Sequence, residues 1–325
     1  MTWTPRNIVT SIGATALALS LVTNANAAGY PDRRITFVVG FAAGGFADSV
    51  ARIIGQHVGE ALGQSVIVEN RGGAASNIAA RTVASAPADG YTVLVSTTSL
   101  AINATLFKKI NYSLVNDLTP VAIAVQAPET FSVNPDRPKS LKAFLEASKS
   151  KHMTYSSAGV GSGSYLTWFT FFKDGAKADV VHVPFQGGAP AMQAAIAGQV
   201  DGMAATASGP TVSQLADGGK LNCLAVAASK RYSLLPNCPT LAESGFPGFE
   251  GSSWVGFWVP KNTPPEVVAA LNKAINSVAG NPKAAANLKL NGELSGLSAK
   301  EASDFVKSEV AAWGKRVTSA GMHID

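Results

Sequence analysis

Charge is scarce in this sequence. Of 325 residues only 14% are Asp, Glu, Lys or Arg, so polarity comes from Ser, Thr, Asn, Gln and backbone groups, which suits a neutral-walled binding cleft. The basic residues are scattered, the densest groups being Lys149 to Lys151 and Lys315-Arg316. Nucleic-acid binding calls for Lys and Arg clustered on one element and is set aside. Histidine is equally sparse: His57, His152, His182 and His323 lie in separate elements without ligand spacing. HExxH, the G-x-S-x-G elbow and CxxC are all missing, so no metal or cofactor is expected and no catalytic constellation is visible. Two cysteines remain, Cys223 and Cys238, with 14 residues between them. Either they close one loop as a disulfide, worth ~3 kcal/mol if unstrained, or Cys223 is buried on a strand and Cys238 is an unrelated loop thiol. Spacing alone does not fix their Cα separation.

Long apolar runs are also lacking after the first segment, where Arg6 precedes an apolar stretch from Ile8 to Val22 and Ala25-Asn26-Ala27 forms an A-x-A cleavage site. A membrane anchor needs ~20 apolar residues, whereas this run has 15 and includes Thr10, Ser11, Thr15 and Ser20. No cysteine lies near the cleavage site to carry a lipid. Residues 1–27 are therefore expected to be a cleavable signal peptide, with Ala28 at the mature N-terminus and a soluble protein in the periplasm. Cleavage removes Arg6 and no acidic residue, taking the formal net charge from +5 to +4. A mild positive field of this kind helps attract anions.

What the sequence does have is apolar mass, 46% of residues, enough over this length for two domains with a core each. Short β-branched runs alternate with helical patterns, predicting an α/β fold with mixed, mostly parallel sheets flanked by helices. Ile35 to Val39 reads as a strand, Gly44-Gly45 as a turn, and Val50, Ile53, Ile54 and Val58 as one helix face. Val66 to Val68 and Thr92 to Val95 add strands around a helix from Asn77 to Ser85. Val121 to Val125 and Glu129 to Val133 read as two adjacent strands crossing into a second lobe. That lobe continues with a helix from Ser140 to Ser150 and strands at Thr154 to Ser156, Val180 to Val183, Val200 to Ala204 and Leu221 to Ala227. It includes a helix with Tyr165, Trp168, Phe169 and Phe172 on one face, and another starting at Pro190. Trp254 to Val259 crosses back, followed by helices from Pro264-Pro265 and from the capping box Ser298 and Glu301. Lobe 1 is thus residues 28–125 plus 254–325 and lobe 2 residues 126–253, with a ligand cleft between them.

Ligands in open α/β sheets sit beyond the carboxyl ends of strands, and three loop sets there stand out. FAAGGFADS (Phe41 to Ser49) places Ala43, Gly44, Gly45 and Phe46 at a helix start, whose N–H groups and dipole suit a carboxylate or phosphate; Asp48 complements that dipole. SSAGVGSGS (Ser156 to Ser164), with Ser157, Ala158, Gly159 and Ser162, has G-x-G-x-G spacing rather than a dinucleotide fingerprint and reads as a second anion cradle. Ser96, Thr97 and Thr98, with Thr206 and Ser208 as their counterparts, offer hydroxyls that bind oxygens or cap helices.

Five ordered stretches carry a resemblance: YPDRRITFVVGFAAGGFADSVAR, QSVIVENRGGAASNIAA, ADGYTVLV, HVPFQGGAPAMQAAIAGQVDGM and PTLAESGFPGFEGSSWVGFWVPKNTP. Across its mature length the chain resembles the Bug-type, TctC-like periplasmic solute receptors of tripartite tricarboxylate transporters. The resemblance implies a two-lobed type II periplasmic-binding-protein fold closing on a di- or tricarboxylate, an acidic amino acid or an aromatic acid. It also implies integral-membrane transporter subunits as partners, no enzyme activity, and ligand contacts from Ala43, Gly44, Gly45, Asp48, Thr97, Thr98, Ser157, Ala158 and Gly159. A monomer is expected. The sequence departs from the pattern at Ala42, where proline is usual, at Tyr165, where histidine is common, and at Ala205-Thr206, where an acidic residue is often found. Without that carboxylate a plain or aromatic acid is expected over an amino acid, its far end facing Phe46 and Tyr165. The competing reading is a two-lobed α/β lyase or transferase acting on a carboxylated substrate, since fold alone does not fix function.

Overall fold

The apolar runs form strands where periodicity places them. The computed structural model describes Met1, residues 29–216 and residues 218–325; the expected signal peptide, Met1 apart, and its expected cleavage site lie outside the described residues. Strand β1 (Ile35–Val39) leads to helix α1 (Phe46–Leu62), β2 (Val66–Asn70), α2 (Asn77–Ala84), β3 (Thr92–Thr97) and α3 (Ser99–Leu106). β1 pairs in parallel with β2 on one side and β3 on the other, because each intervening helix carries the chain back to the end of the sheet where the preceding strand began. α1 buries Val50, Ile54 and Val58, a stripe at four-residue spacing. It ends at Gly63 in the left-handed region, φ 68°, where glycine carries no Cβ penalty.

The two strands expected at 121–125 and 129–133 are one strand, β4 (Leu118–Val133). Pro128, between the two runs, lies where β4 changes partners. Up to Pro128 it runs antiparallel to β9 (Ser252–Pro260), and from Glu129 it pairs with β7 (Gly202–Thr206). A residue without an N–H is tolerated at such a transition. Between these come α4 (Leu141–Ala147), β5 (Met153–Ser157), α5 (Gly163–Thr170), β6 (Val180–Pro184), α6 (Gly188–Ile196), α7 (Gly209–Leu215) and β8 (Asn222–Val226). α8 (Pro265–Asn276), α9 (Pro282–Lys289), β10 (Glu293–Leu294) and α10 (Ala299–Ser319) close the chain. The expected helix through Phe172 stops at Thr170 and continues as a single π turn over Phe171–Gly175. α6 begins two residues before Pro190, which still sits in the first turn where its missing N–H costs nothing.

The sheet order is β2-β1-β3-β9-β4-β7-β5-β6, with β8 and β10 also paired to β4. Every antiparallel pair involves β4 or β9, so the parallel strands form two outer wings joined through the β4–β9 ladder. Each wing has its own core. One gathers Leu94, Ile102, Leu118, Trp254, Trp258 and Trp313. Glu309 accepts from Trp254 Nε1 at 2.7 Å and Trp313 Nε1 at 3.0 Å, which fixes α10 to β9. The other is built around fully buried Phe131, with the rings of Phe144, Trp168 and Phe172 at 5.0, 5.0 and 5.2 Å. Residues Pro31–Asp325 pack as one unit. Cys223 and Cys238 are joined by a disulfide, their Cα atoms 5.5 Å apart, which decides between the two readings left open by their spacing.

Candidate ligand site

β1 in one wing runs opposite to β5 and β6 in the other, so their carboxyl ends face each other; each of the three strands feeds a helix, and the three helix starts meet. Gly44, Gly45, Phe46 and Ala47 open α1; Ser162, Gly163 and Ser164 open α5; Gly188 and Ala189 open α6. All of them line one cavity of about 50 Å³, together with Thr97, Ala158, Thr206, Ser208 and Ser253. The first N–H groups of a helix have no partner within it, and the dipole concentrates positive potential there. Among the described residues, no lysine or arginine lines the cavity. Its chemistry is that of an anion site made from backbone donors and hydroxyls.

Not every residue expected at the site faces this cavity. Ala43 is exposed. Asp48 is buried and committed elsewhere: it accepts from Gly44 N–H at 2.8 Å, Arg52 Nε at 3.0 Å and Asn70 Nδ2 at 2.9 Å. Burial alone would raise its carboxyl, but these hydrogen bonds outweigh burial and hold it below the usual range. Asp48 therefore shapes the glycine turn, with Gly44 at φ 78°, and occupies the Gly44 N–H that a ligand would otherwise use. Ser96 and Thr97 are the last residues of β3 rather than loop; Ser96 donates to Ser76 Oγ at 2.7 Å. Thr98 accepts from Trp254 N–H at 3.0 Å. Gly159 borders a neighbouring cavity of about 270 Å³ with Ala158, Phe185 and Gln186.

Ser157 is buried, its hydroxyl 2.7 Å from His182 Nε2 and accepting from Gly159 N–H at 3.1 Å. Burial holds the His182 imidazole down to about 4, so the ring is neutral at ordinary pH. Tyr165 packs its ring against His182 at 4.4 Å and Phe169 at 5.4 Å, outside the cavity. Phe46 lines it. Ser162 accepts from Tyr165 N–H at 3.2 Å and donates to Gly159 O at 2.7 Å, so it both caps α5 and ties off the glycine loop.

Sequence reading placed Gly163 and Ser164 in the second glycine loop without singling them out, and missed Gly188, Ala189 and Ser253. The α6 start follows β6 through Gly187-Gly188, the same strand, glycine pair and helix order that marked α1, and that signal was present. Ser253 had none, since it reaches the cavity only because β9 lies beside β4. The same applies to Glu129 behind the wall. Its Oε1 accepts from Ser253 Oγ at 2.6 Å and Thr206 Oγ1 at 3.2 Å, while Oε2 is buried without a partner among the described residues. Burial pushes this carboxyl up to about 7, against the lowering effect of the two hydroxyls. Among the described residues no three His, Cys, Asp or Glu gather to hold an ion.

Contacts also join the two wings beside the cavity. Ala42 N–H donates to Gln186 O at 3.1 Å, and a Cβ on Gly45 would stand 3.5 Å from Gly188 N. Two α/β wings, two strands passing between them and a small donor-lined cavity at their meeting define a solute-binding protein of the periplasmic type. The family model described as "Tripartite tricarboxylate transporter family receptor" matches residues 50–322. The chain belongs to that family. It is 30% identical to the protein BugT of Bordetella pertussis over 299 residues, 90% of each chain. Among solved structures it is similar to a protein of R. palustris with adipate, at TM-score 0.85 and 31% identity, covering 90% of this chain and 99% of that one. It is also similar to MatC of Rhodopseudomonas palustris with bound malate, at TM-score 0.83 and 33% identity, covering 89% and 100%.

Proposed function

We propose that this chain is an extracytoplasmic receptor that binds a small organic carboxylate and delivers it to the integral-membrane subunits of a tripartite tricarboxylate transporter. The observation that carries this reading is the meeting of three helix starts on one cavity that, among the described residues, no lysine or arginine lines. Oriented N–H groups can hold a carboxylate without a formal positive charge, and each anion–dipole contact contributes ~0.3 to 2 kcal/mol. Adipate and malate in the two related structures are acids of this class. On this reading Gly45, Phe46, Thr97, Ala158, Ser162, Thr206 and Ser208 contact the ligand, while Asp48, Ser96, Thr98 and Ser157 hold those residues in place.

The mature protein begins at Ala28 and works as a monomer in the periplasm, where the Cys223–Cys238 disulfide is at home. Lobe 1 (28–125 and 254–325) and lobe 2 (126–253) close about 124–129 and 251–253. Catalysis is not part of the function. Ser157 and His182 are the nearest thing to a nucleophile and base, and Ser157 lies fully buried outside the cavity. Titration calorimetry of the mature protein against a panel of mono-, di- and tricarboxylates and aromatic acids tests the reading. Saturable one-to-one heats with at least one acid, and no product after prolonged incubation, are expected. Turnover of any acid, or binding of none, contradicts it.

A further inference from the structure

The donor groups that favour a carboxylate occupy only part of the cavity wall. At the place where β4, β7 and β9 come together the wall is formed by Thr206 and Ser253, and both hydroxyl hydrogens are directed at Glu129. Each has one hydrogen, and each gives it to Glu129 Oε1. A hydroxyl that has spent its hydrogen presents only lone pairs to whatever lies on its other side. This holds whether Glu129 is ionised or neutral, since a carboxylic acid with its proton on Oε2 still accepts at Oε1.

Glu129 stands directly behind this wall. It is paired with Thr206 in the β4–β7 register and is fully buried. A Cβ on Gly163 would collide with Ser253 Oγ and come within 3.0 Å of Glu129 Oε1, so only a glycine's width separates the carboxyl from the α5 start. No lysine, arginine or histidine among the described residues contributes to its ionisation; burial and the two hydroxyls account for it. An unpaired buried carboxyl is costly unless something compensates it, and here one oxygen is left unpartnered. One end of the cavity therefore offers donors and the other offers acceptors backed by an acid.

We propose that Glu129, through Thr206 and Ser253, selects a ligand that carries a hydrogen-bond donor, a hydroxyl or an amino group, in addition to its carboxylate. The inference rests on the cavity being the carboxylate site proposed above. A plain acid leaves the two lone-pair-bearing hydroxyls facing an apolar carbon chain and loses their hydrogen bonds with water. A hydroxy or amino acid replaces those bonds. An ammonium group gains further from the carboxyl behind them, because hydrogen bonds to charged groups are the stronger kind.

Calorimetry of the mature protein with two matched sets, succinate, malate and aspartate, and propionate, lactate and alanine, tests this. Within at least one set the hydroxy or amino acid is expected to bind about tenfold or more tighter than the unsubstituted acid. Glu129→Gln keeps the acceptor oxygen but loses the charge, and is expected to reduce the preference for the amino acid. Thr206→Val keeps the shape but removes one acceptor, and is expected to reduce the preference for both substituted acids, so the two variants guard each other against misfolding. A larger gain for lactate or malate identifies a hydroxyl, and a larger gain for alanine or aspartate an ammonium. Unsubstituted acids binding as tightly as both substituted ones overturn the inference and leave the carboxylate reading intact. Binding of none of the six, nor of any acid in the wider panel, overturns both.

Discussion

Replacing Glu129 by glutamine should change the stability of this protein by an amount that depends on pH. Burial raises the Glu129 carboxyl from an ordinary 4.5 to about 7. Below pH 4.5 both folded and unfolded chains hold the proton and nothing is lost. Between 4.5 and 7 the unfolded chain ionises while the folded one cannot, so stability falls as pH rises. At about 1.4 kcal/mol per pH unit the total is about 3 kcal/mol, complete by about pH 8. His182 works in the opposite sense. Burial lowers it from 6.5 to about 4, so the unfolded chain takes up a proton that the folded one refuses. Its stabilisation is full above 6.5 and is lost as pH falls toward 4. Its magnitude is of the same order, reduced because the ring is only partly buried. In the parent protein the two slopes oppose each other between pH 4.5 and 6.5 and flatten the profile. Urea unfolding of parent and Glu129→Gln at pH 4.5, 5.5, 6.5 and 8, with the disulfide intact, separates them. The difference should move by about 3 kcal/mol in favour of glutamine from pH 4.5 to pH 8, and the variant alone should show the rising His182 slope. Any fixed cost of seating the amide cancels in this comparison. A difference that stays constant across the range would mean that Glu129 titrates as if hydrated, and the argument from its burial would fail.

Removing the disulfide with Cys223→Ala and Cys238→Ala should lower stability by about 3 kcal/mol, because the loop it closes has 14 residues between the cysteines; urea midpoints of the parent with and without reductant provide the matching control. Small-angle scattering should show a smaller radius of gyration at saturating ligand, after any co-purified ligand is removed by unfolding and refolding, and no change would argue against closure about 124–129 and 251–253. Asp48→Ala should cost about 1 to 3 kcal/mol of stability by leaving the Gly44 N–H without its acceptor and removing the hydrogen bonds from Arg52 and Asn70, seen as a lower urea midpoint at pH 7; a midpoint equal to the parent's would remove Asp48 as the anchor of the glycine turn.

Much of this architecture was legible because it depends on local signals. Val50, Ile54 and Val58 announce α1, Ser298 with Glu301 caps α10 as expected, and the glycine pair after β1 marks the α1 start that lines the cavity. The failures are non-local. Val121 to Val125 and Glu129 to Val133 looked like two strands because a sequence does not reveal where a strand exchanges partners. Thr98 and Ser157 looked like ligand groups because free hydroxyls and engaged ones are written alike; only the approach of Trp254 and His182 tells them apart. The absence of an acidic residue at Ala205-Thr206 suggested a cleft without a carboxyl. The register that sets Glu129 against Thr206 places one behind the cavity wall, from the adjacent strand.

The central claim is that a carboxylate is held by the helix starts around Gly45, and the affinities of Gly45→Ala and Gly45→Val for the best acid, at low and high salt, test it most directly. A Cβ at this position meets Gly188 N at 3.5 Å, an ordinary contact, so alanine should bind within a few-fold of the parent. The γ-methyls of valine would enter the space between the α1 and α6 starts, and overpacking of about 1 to 3 kcal/mol corresponds to a loss of about ten- to hundredfold in affinity. With no cation at the site, salt should change all three affinities only weakly. Valine binding like the parent with its fold intact, or affinity that collapses at high salt, would place the ligand elsewhere.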